Sequence, residues 1–148
     1  MIARGAGAIV NLSSSLAFSA GMRAPHLPKR ATYAATKAFV NAFTEILAVE
    51  LEGSGVRVQA LCPGVVRTEF HDQPGRPGAI RPNVPVMEPQ DVVAASLAAL
   101  KLGDVICIPG LSDRAPLTRE REARHAVFPN GMKSELAERY RGVTGGSS

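Results

Sequence analysis

Tyr33 and Lys37 lie four residues apart in Thr32-Tyr-Ala-Ala-Thr-Lys-Ala-Phe39, and on a helix that spacing stacks a phenol beside an ammonium. The combination is acid/base equipment. A free phenol titrates near pH ~10, so it shuttles protons poorly at neutral pH unless a nearby positive charge favours its anion. Lys37 supplies such a charge. The same spacing also describes many solvated surface pairs, so the two residues gain meaning only from the segments around them.

Two such segments flank the pair. Upstream, Gly7-Ala-Ile-Val-Asn-Leu-Ser-Ser-Ser15 is an apolar, β-branched run ending abruptly in hydroxyls, as a buried strand does when it ends at a cleft. Downstream, Val56-Arg-Val-Gln-Ala-Leu-Cys-Pro-Gly-Val-Val-Arg-Thr68 is a second strand stopped by Pro63-Gly64. The order is therefore a strand with terminal serines, a helix with Tyr and Lys, and a strand ending in Pro-Gly.

From Asn11 to Ser14, Tyr33 to Lys37 and Pro63 to Thr68, the chain resembles the short-chain dehydrogenase/reductase family, over a stretch running from about Gly5 to about Gly110. The resemblance implies hydride transfer between a nicotinamide, of NAD or NADP, and a small-molecule carbonyl or alcohol substrate. It implies Tyr33 as the proton donor or acceptor and Lys37 as the group that steadies the tyrosinate and binds the nicotinamide ribose. Ser14 holds the substrate oxygen, with Ser15 the next choice and Ser13 lining the cofactor pocket. Pro63 and Gly64 pass close to the nicotinamide, and the Val66 main chain and Thr68 hold its carboxamide or nearby phosphate oxygens. The family also implies a substrate lid over 71–85 and a homodimer surface on the helix that carries Tyr33.

The departures are equally informative. A Gly-rich turn between a strand and a helix holds the cofactor pyrophosphate in such proteins. Here Gly5-Ala-Gly7 precedes a strand and cannot aim a helix N-terminus at a phosphate. The family's catalytic Asn is absent too, and Met1-Ile-Ala-Arg-Gly5 looks like the end of the helix that would carry it. The expectation is the C-terminal half of a Rossmann-like doubly wound parallel sheet, inactive by itself unless an N-terminal half joins in trans. The residues that choose NAD or NADP lie outside it. A non-catalytic relic or interaction module keeping the fold is the alternative, although such a module has no physical need for Ser14, Tyr33, Lys37 and Thr68 together. Ser14 and Tyr33 are 19 residues apart, longer than in many members, and the extra length is Gly21 to Arg30. Two prolines and a glycine make that segment an ordered surface loop, with His26 more plausibly surface than catalytic.

Composition narrows the classes. With 148 residues and 45% hydrophobic content the chain can bury one modest core. It has no run of 18 apolar residues and no signal-peptide pattern, so a cytoplasmic protein away from membranes is expected. Cys62 and Cys107 sit in apolar runs as reduced, buried thiols, without the CxxC or His-rich spacing of a metal site. The net charge of +4 is interleaved with acids, as in Thr118-Arg-Glu-Arg-Glu-Ala-Arg124, which describes a solvated helix rather than a nucleic-acid surface.

The elements that must position these residues alternate as α/β. Strands are expected at 8–13, 56–62 and 104–109, and helices at 31–53 and 90–102, giving three parallel strands with flanking helices. Phe39, Phe43, Ile46, Leu47 and Leu51 form the apolar stripe of the first helix, closed by Gly53-Ser-Gly55. Pro89 starts the second helix and Gly103 ends it. The first strand should be an edge, uncharged and without Pro, and so a template for unwanted pairing. Residues 111–140 read as one or two short amphipathic helices anchored by Ala126-Val-Phe128 and Leu136. The family-like domain spans 1–141, with 142–148 a disordered tail.

Overall fold

A computed structural model describes residues 1–25, 27, 29–68 and 83–141. His26, most of the expected lid and the expected tail at 142–148 lie outside the described residues. In chain order the elements are β1 (Gly7–Leu12), α1 (Ala31–Glu50), β2 (Val56–Leu61), β3 (Val65–Val66), β4 (Val86–Met87), α2 (Pro89–Leu102), β5 (Ile106–Cys107), α3 (Ala115–Gly131) and α4 (Glu138–Arg141). Among the described residues, no helix is long and apolar enough to cross a membrane. The chain forms two compact units, Met1–Leu111 and Ser112–Ser148.

The first unit holds the parallel sheet expected from the alternation of strands and helices, in the order β1-β2-β5. β1 and β2 pair along their whole length, from Gly7 opposite Val56 to Leu12 opposite Leu61. Ser13 N–H extends the ladder to the Leu61 carbonyl at 2.7 Å. Backbone groups alternate sides along a parallel ladder, so those of Ala8, Val10 and Leu12 face away from β2. Among the described residues no strand pairs that side, and β1 is the edge its sequence foretold. β5 is shorter than expected, because after Cys107 the chain meets Pro109, which has no donor, and turns so that Leu111 N–H reaches the Ile108 carbonyl. β3 and β4 form a separate two-stranded parallel ribbon.

α1 ends at Glu50 rather than residue 53, and the chain leaves it through Gly53 and Gly55, with φ of 77° and 74°. The apolar stripe expected on this helix does not face the sheet. Phe39, Phe43 and Ile46 are exposed, and the residues α1 buries are Asn41 and Thr44. At 3.6 residues per turn the two sets fall on opposite sides of the helix. Leu47 and Leu51 are half-buried. α2 begins at Pro89, ends at Gly103 with φ 77°, and buries Val92, Ser96 and Ala99 at helical spacing. Val92 and Ala99 meet Leu61 and Cys107 in the apolar core, flanked by Val66, Met87 and Ala95.

In the second unit, α3 and α4 bury no residue. The apolar anchors expected there are exposed, Val127 and Phe128 at 70% and 72%. The charges of α3 surround the helix, so no continuous apolar stripe exists to be covered, and an exposed Arg124–Glu120 pair at 2.8 Å stabilises it only slightly.

Gly55 combines a left-handed φ with close packing, since a Cβ there would collide with the carbonyl of Gly5, whereas Gly53 faces open space. Gly55→Ala should therefore cost about 2 kcal/mol or more and Gly53→Ala only about 1 kcal/mol, compared by chemical denaturation. The open β1 edge should make the chain self-associate at micromolar concentration. A monodisperse monomer by light scattering would contradict this.

Candidate active site

The ends of β1 and β2 are bound side by side. Beyond the ladder, Ser15 N–H donates to the Pro63 carbonyl at 3.0 Å, so the serine-bearing turn and the Pro-Gly turn leave the sheet together. Ser14 caps a single 3₁₀ turn, Ser15–Phe18, its Oγ accepting from Leu16 N–H at 3.2 Å. Ser13 and Ser14 are both buried. Ligands of open α/β sheets bind at such carboxyl ends.

α1 brings the acid/base pair to the same place. Ser13 Oγ donates to the Lys37 carbonyl at 2.9 Å, and Lys37 Nζ donates to the Leu12 carbonyl at 2.8 Å. The ammonium also lies 5.7 Å from the centroid of the Tyr33 ring. An ammonium has three donors, so two remain for the phenol or for ligand hydroxyls. Tyr33 is half-exposed, and among the described residues nothing hydrogen-bonds its hydroxyl. Thus Ser13, Ser14, Tyr33, Lys37 and Pro63 converge at the strand ends.

Gly64, Val66 and Thr68 follow along the chain that leaves β2. A Cβ on Gly64 would meet no atom, which leaves its backbone open to close approach. Arg67 N–H donates to the Met87 carbonyl at 3.0 Å, so by alternation the N–H and C=O of Val66 point away from β4. Thr68 is exposed. Ser15, Gly64, Met87, Glu88, Asp91 and Ile108 are among the residues lining a mostly apolar cleft of about 470 Å³. An open glycine, an unpaired main-chain amide and a lysine with spare donors fit the nicotinamide end of a dinucleotide. Among the described residues no glycine-rich turn leads from a strand into a helix.

Several residues at the site belong to no motif of the sequence. Arg30 organises the 19–30 loop, its guanidinium donating to Ser19 Oγ at 3.2 Å, to the Leu27 carbonyl at 3.0 Å and to the Met22 carbonyl. This one side chain thus ties together Ser19, Met22 and Leu27. Beneath the site, Cys62 Sγ donates to Asn41 Oδ1 at 3.3 Å and Asn11 Nδ2 to Thr44 Oγ1 at 3.0 Å. The hint was that Asn41 falls four residues after Lys37, a polar residue on the helix face that must meet the sheet.

Both cysteines are free and buried. Burial pushes the Cys62 thiol up to about 11, against smaller opposing contributions from hydrogen bonds to Ser13 and Asn41. Burial, and then the charge of Asp104, raise Cys107.

Comparison with known proteins bears on the family and the fold. The family model described as short chain dehydrogenase matches residues 1–76. Galactitol 2-dehydrogenase (L-tagatose-forming) of Cereibacter sphaeroides is 48% identical over 70 residues, covering 47% of this chain and 26% of that protein. 2-(R)-hydroxypropyl-CoM dehydrogenase of Xanthobacter autotrophicus is 34% identical over 92 residues, covering 60% and 34%. Among solved structures, a short-chain dehydrogenase from Sphingobium yanoikuyae in complex with NADPH superposes with a TM-score of 0.76 at 31% identity, over 94% of this chain and 51% of that one. The bulky-bulky ketone specific alcohol dehydrogenase from Comamonas testosteroni gives 0.74 at 29%, over 95% and 49%. The matches to the two enzymes cover about a quarter to a third of their length, and those to the two structures about half.

The Cys62 thiol supplies a test. Its folded pKa is raised, so the folded state keeps a proton that the unfolded state loses. The stability this represents is complete below pH 9 and is lost as pH rises through about 11. Unfolding free energy should fall more steeply over that window in the wild type than in Cys62→Ala, and both thiols should resist alkylation at neutral pH until the protein is denatured.

Proposed function

Since the chain belongs to the short-chain dehydrogenase family, we propose that it carries the proton-transfer and nicotinamide end of an NAD(P)-dependent oxidoreductase acting on a small carbonyl or alcohol. A bound nicotinamide would supply or accept the hydride. Tyr33 gives a proton to the substrate oxygen during reduction and takes it during oxidation. Lys37 favours the tyrosinate, and its spare donors suit ribose hydroxyls. Ser14 Oγ, fixed by its cap on Leu16 N–H, holds the substrate oxygen near the phenol. Ser13, Pro63, Gly64, the Val66 main chain and Thr68 form the nicotinamide wall, and the cleft beyond Ser15 and Gly64 takes the apolar body of the substrate.

The observation that carries this reading is the placement of Lys37, whose ammonium is held at 2.8 Å by the last carbonyl of β1 while lying 5.7 Å from the Tyr33 ring. A solvated surface pair needs no such anchor. The outward face of α1, where the Phe39 and Phe43 rings stack with centroids 6.2 Å apart, suits a homo-oligomer contact. Two free, buried thiols accord with a reducing, cytoplasmic setting.

Activity tests the proposal directly. Completed by a family-type N-terminal half, the protein should show nicotinamide-dependent turnover, and Tyr33→Phe should lower it by roughly 10²- to 10⁴-fold; retained turnover would end the role given to Tyr33. The 148-residue chain alone, lacking a glycine-rich phosphate turn, should show none.

A further inference from the structure

We infer that Asn41 and Thr44 are positioning residues that, through Cys62 and Asn11, fix the rotation of α1 and hence the place of Tyr33 and Lys37 at the strand ends; the role rests on the function proposed above. The face α1 turns to the sheet is polar where an apolar one would be ordinary, and its two buried residues are Asn41 and Thr44. Each is bound by a different stretch of chain. β1 reaches Thr44 through Asn11 Nδ2 at 3.0 Å, and Thr44 Oγ1 in turn donates to the Val40 carbonyl at 2.7 Å. The chain just beyond β2 reaches Asn41 through the Cys62 thiol at 3.3 Å. Thr44 and Cys62 have no exposed surface at all.

Tyr33, Lys37, Asn41 and Thr44 follow one another at intervals of four, four and three, so they share one stripe of the helix. Any rotation that carries Asn41 away from Cys62 carries Tyr33 and Lys37 away from the strand ends. At a side-chain radius of ~5–6 Å, a turn of ~20° moves a side chain by about 2 Å, and a misplacement of ~1 Å can cost about 10²-fold in rate. An apolar contact tolerates such a shift, whereas a buried directional bond does not. Cys62 also stands directly before Pro63-Gly64, so the bond that orients the acid/base pair is made beside the turn proposed to meet the nicotinamide.

The structure contains its own control. Ser96 Oγ donates to Gln59 Oε1 at 2.6 Å, and Gln59 Nε2 donates to the Ser96 carbonyl at 3.2 Å, an equally buried polar pair that ties β2 to α2 instead. The test is the set of nuclear Overhauser contacts between Lys37 on α1 and Leu12 and Ser13 at the end of β1, in the full, isotope-labelled chain, since these join the helix to the sheet. Thr44→Val and Cys62→Ala should each lose them while circular dichroism shows a folded protein. Thr44→Ser, which keeps the hydroxyl, and Cys62→Ser, which puts an O–H donor in place of the thiol, should retain them, as should Ser96→Ala. Persistence of the contacts in folded Thr44→Val and Cys62→Ala overturns the inference, and so does an equal loss in Ser96→Ala. If one of the two variants fails to fold, the other and Asn41→Ser decide by the same contacts. Turnover in Tyr33→Phe would remove the proposed function without touching this result, so the two fail separately.

Discussion

The parallel register of β1 and β2 is the constraint on which the site depends. Leu12 stands opposite Leu61, and the bonds Ser13 to Leu61 and Ser15 to Pro63 carry the alignment past the end of the sheet. A slip of one residue would invert the faces of β1, turning Asn11 away from Thr44 and exposing Ser13, which has almost no accessible surface. It would also take the Leu12 carbonyl away from Lys37. Serine turn, lysine and Pro-Gly turn are thus three readings of one ladder.

What fastens helices to this sheet is unusually polar. α1 meets β1 and β2 through Asn11, Thr44, Cys62 and Asn41, and α2 meets β2 through Gln59 and Ser96. Each such bond adds only about 1 kcal/mol net, yet leaving one buried partner unmet costs about 1–3 kcal/mol. The apolar core of Leu61, Val92, Ala99 and Cys107 is small by comparison. Interfaces of this kind contribute less bulk stability than direction, since they penalise misalignment more than they reward contact.

The three strands of the main sheet and the two long helices of the first unit were legible because periodicity and punctuation agreed there: β-branched runs, Pro89 at a helix start, Gly103 at its end; the two-residue strands β3 and β4 were not, being too short to show a period. The serines, Tyr33, Lys37 and the Pro-Gly turn were legible as motifs, and the structure brings Ser13, Ser14, Tyr33, Lys37 and Pro63 to one place. The direction of the apolar stripe on α1 was not legible, because a helix with apolar residues on one side and Asn and Thr on the other does not announce which side the sheet will take. Phe39, Phe43 and Ile46 point outward because the sheet offers α1 hydrogen-bonding partners at Asn11 and Cys62. The tail failed differently: Val127 and Phe128 are apolar, but within α3 the only apolar residue three or four positions from either is the small Ala123, too little to form a stripe. Arg30 was invisible because its work is done mostly on carbonyls, which leave no trace in side-chain identity.

The small ribbon of β3 and β4 has a consequence of another kind. It pairs Val65 with Val86 and Val66 with Met87, and just past it an exposed Arg67–Glu88 bridge of 2.7 Å joins the same two stretches of chain. The two points where the chain departs and returns are therefore held next to each other by backbone bonds, whatever sequence connects them. Closing a connection between fixed ends costs only about 0.6 kcal/mol more for each doubling of its length. A base of this kind tolerates a longer or shorter connection above it while the floor beneath keeps its shape, which makes the ribbon a socket.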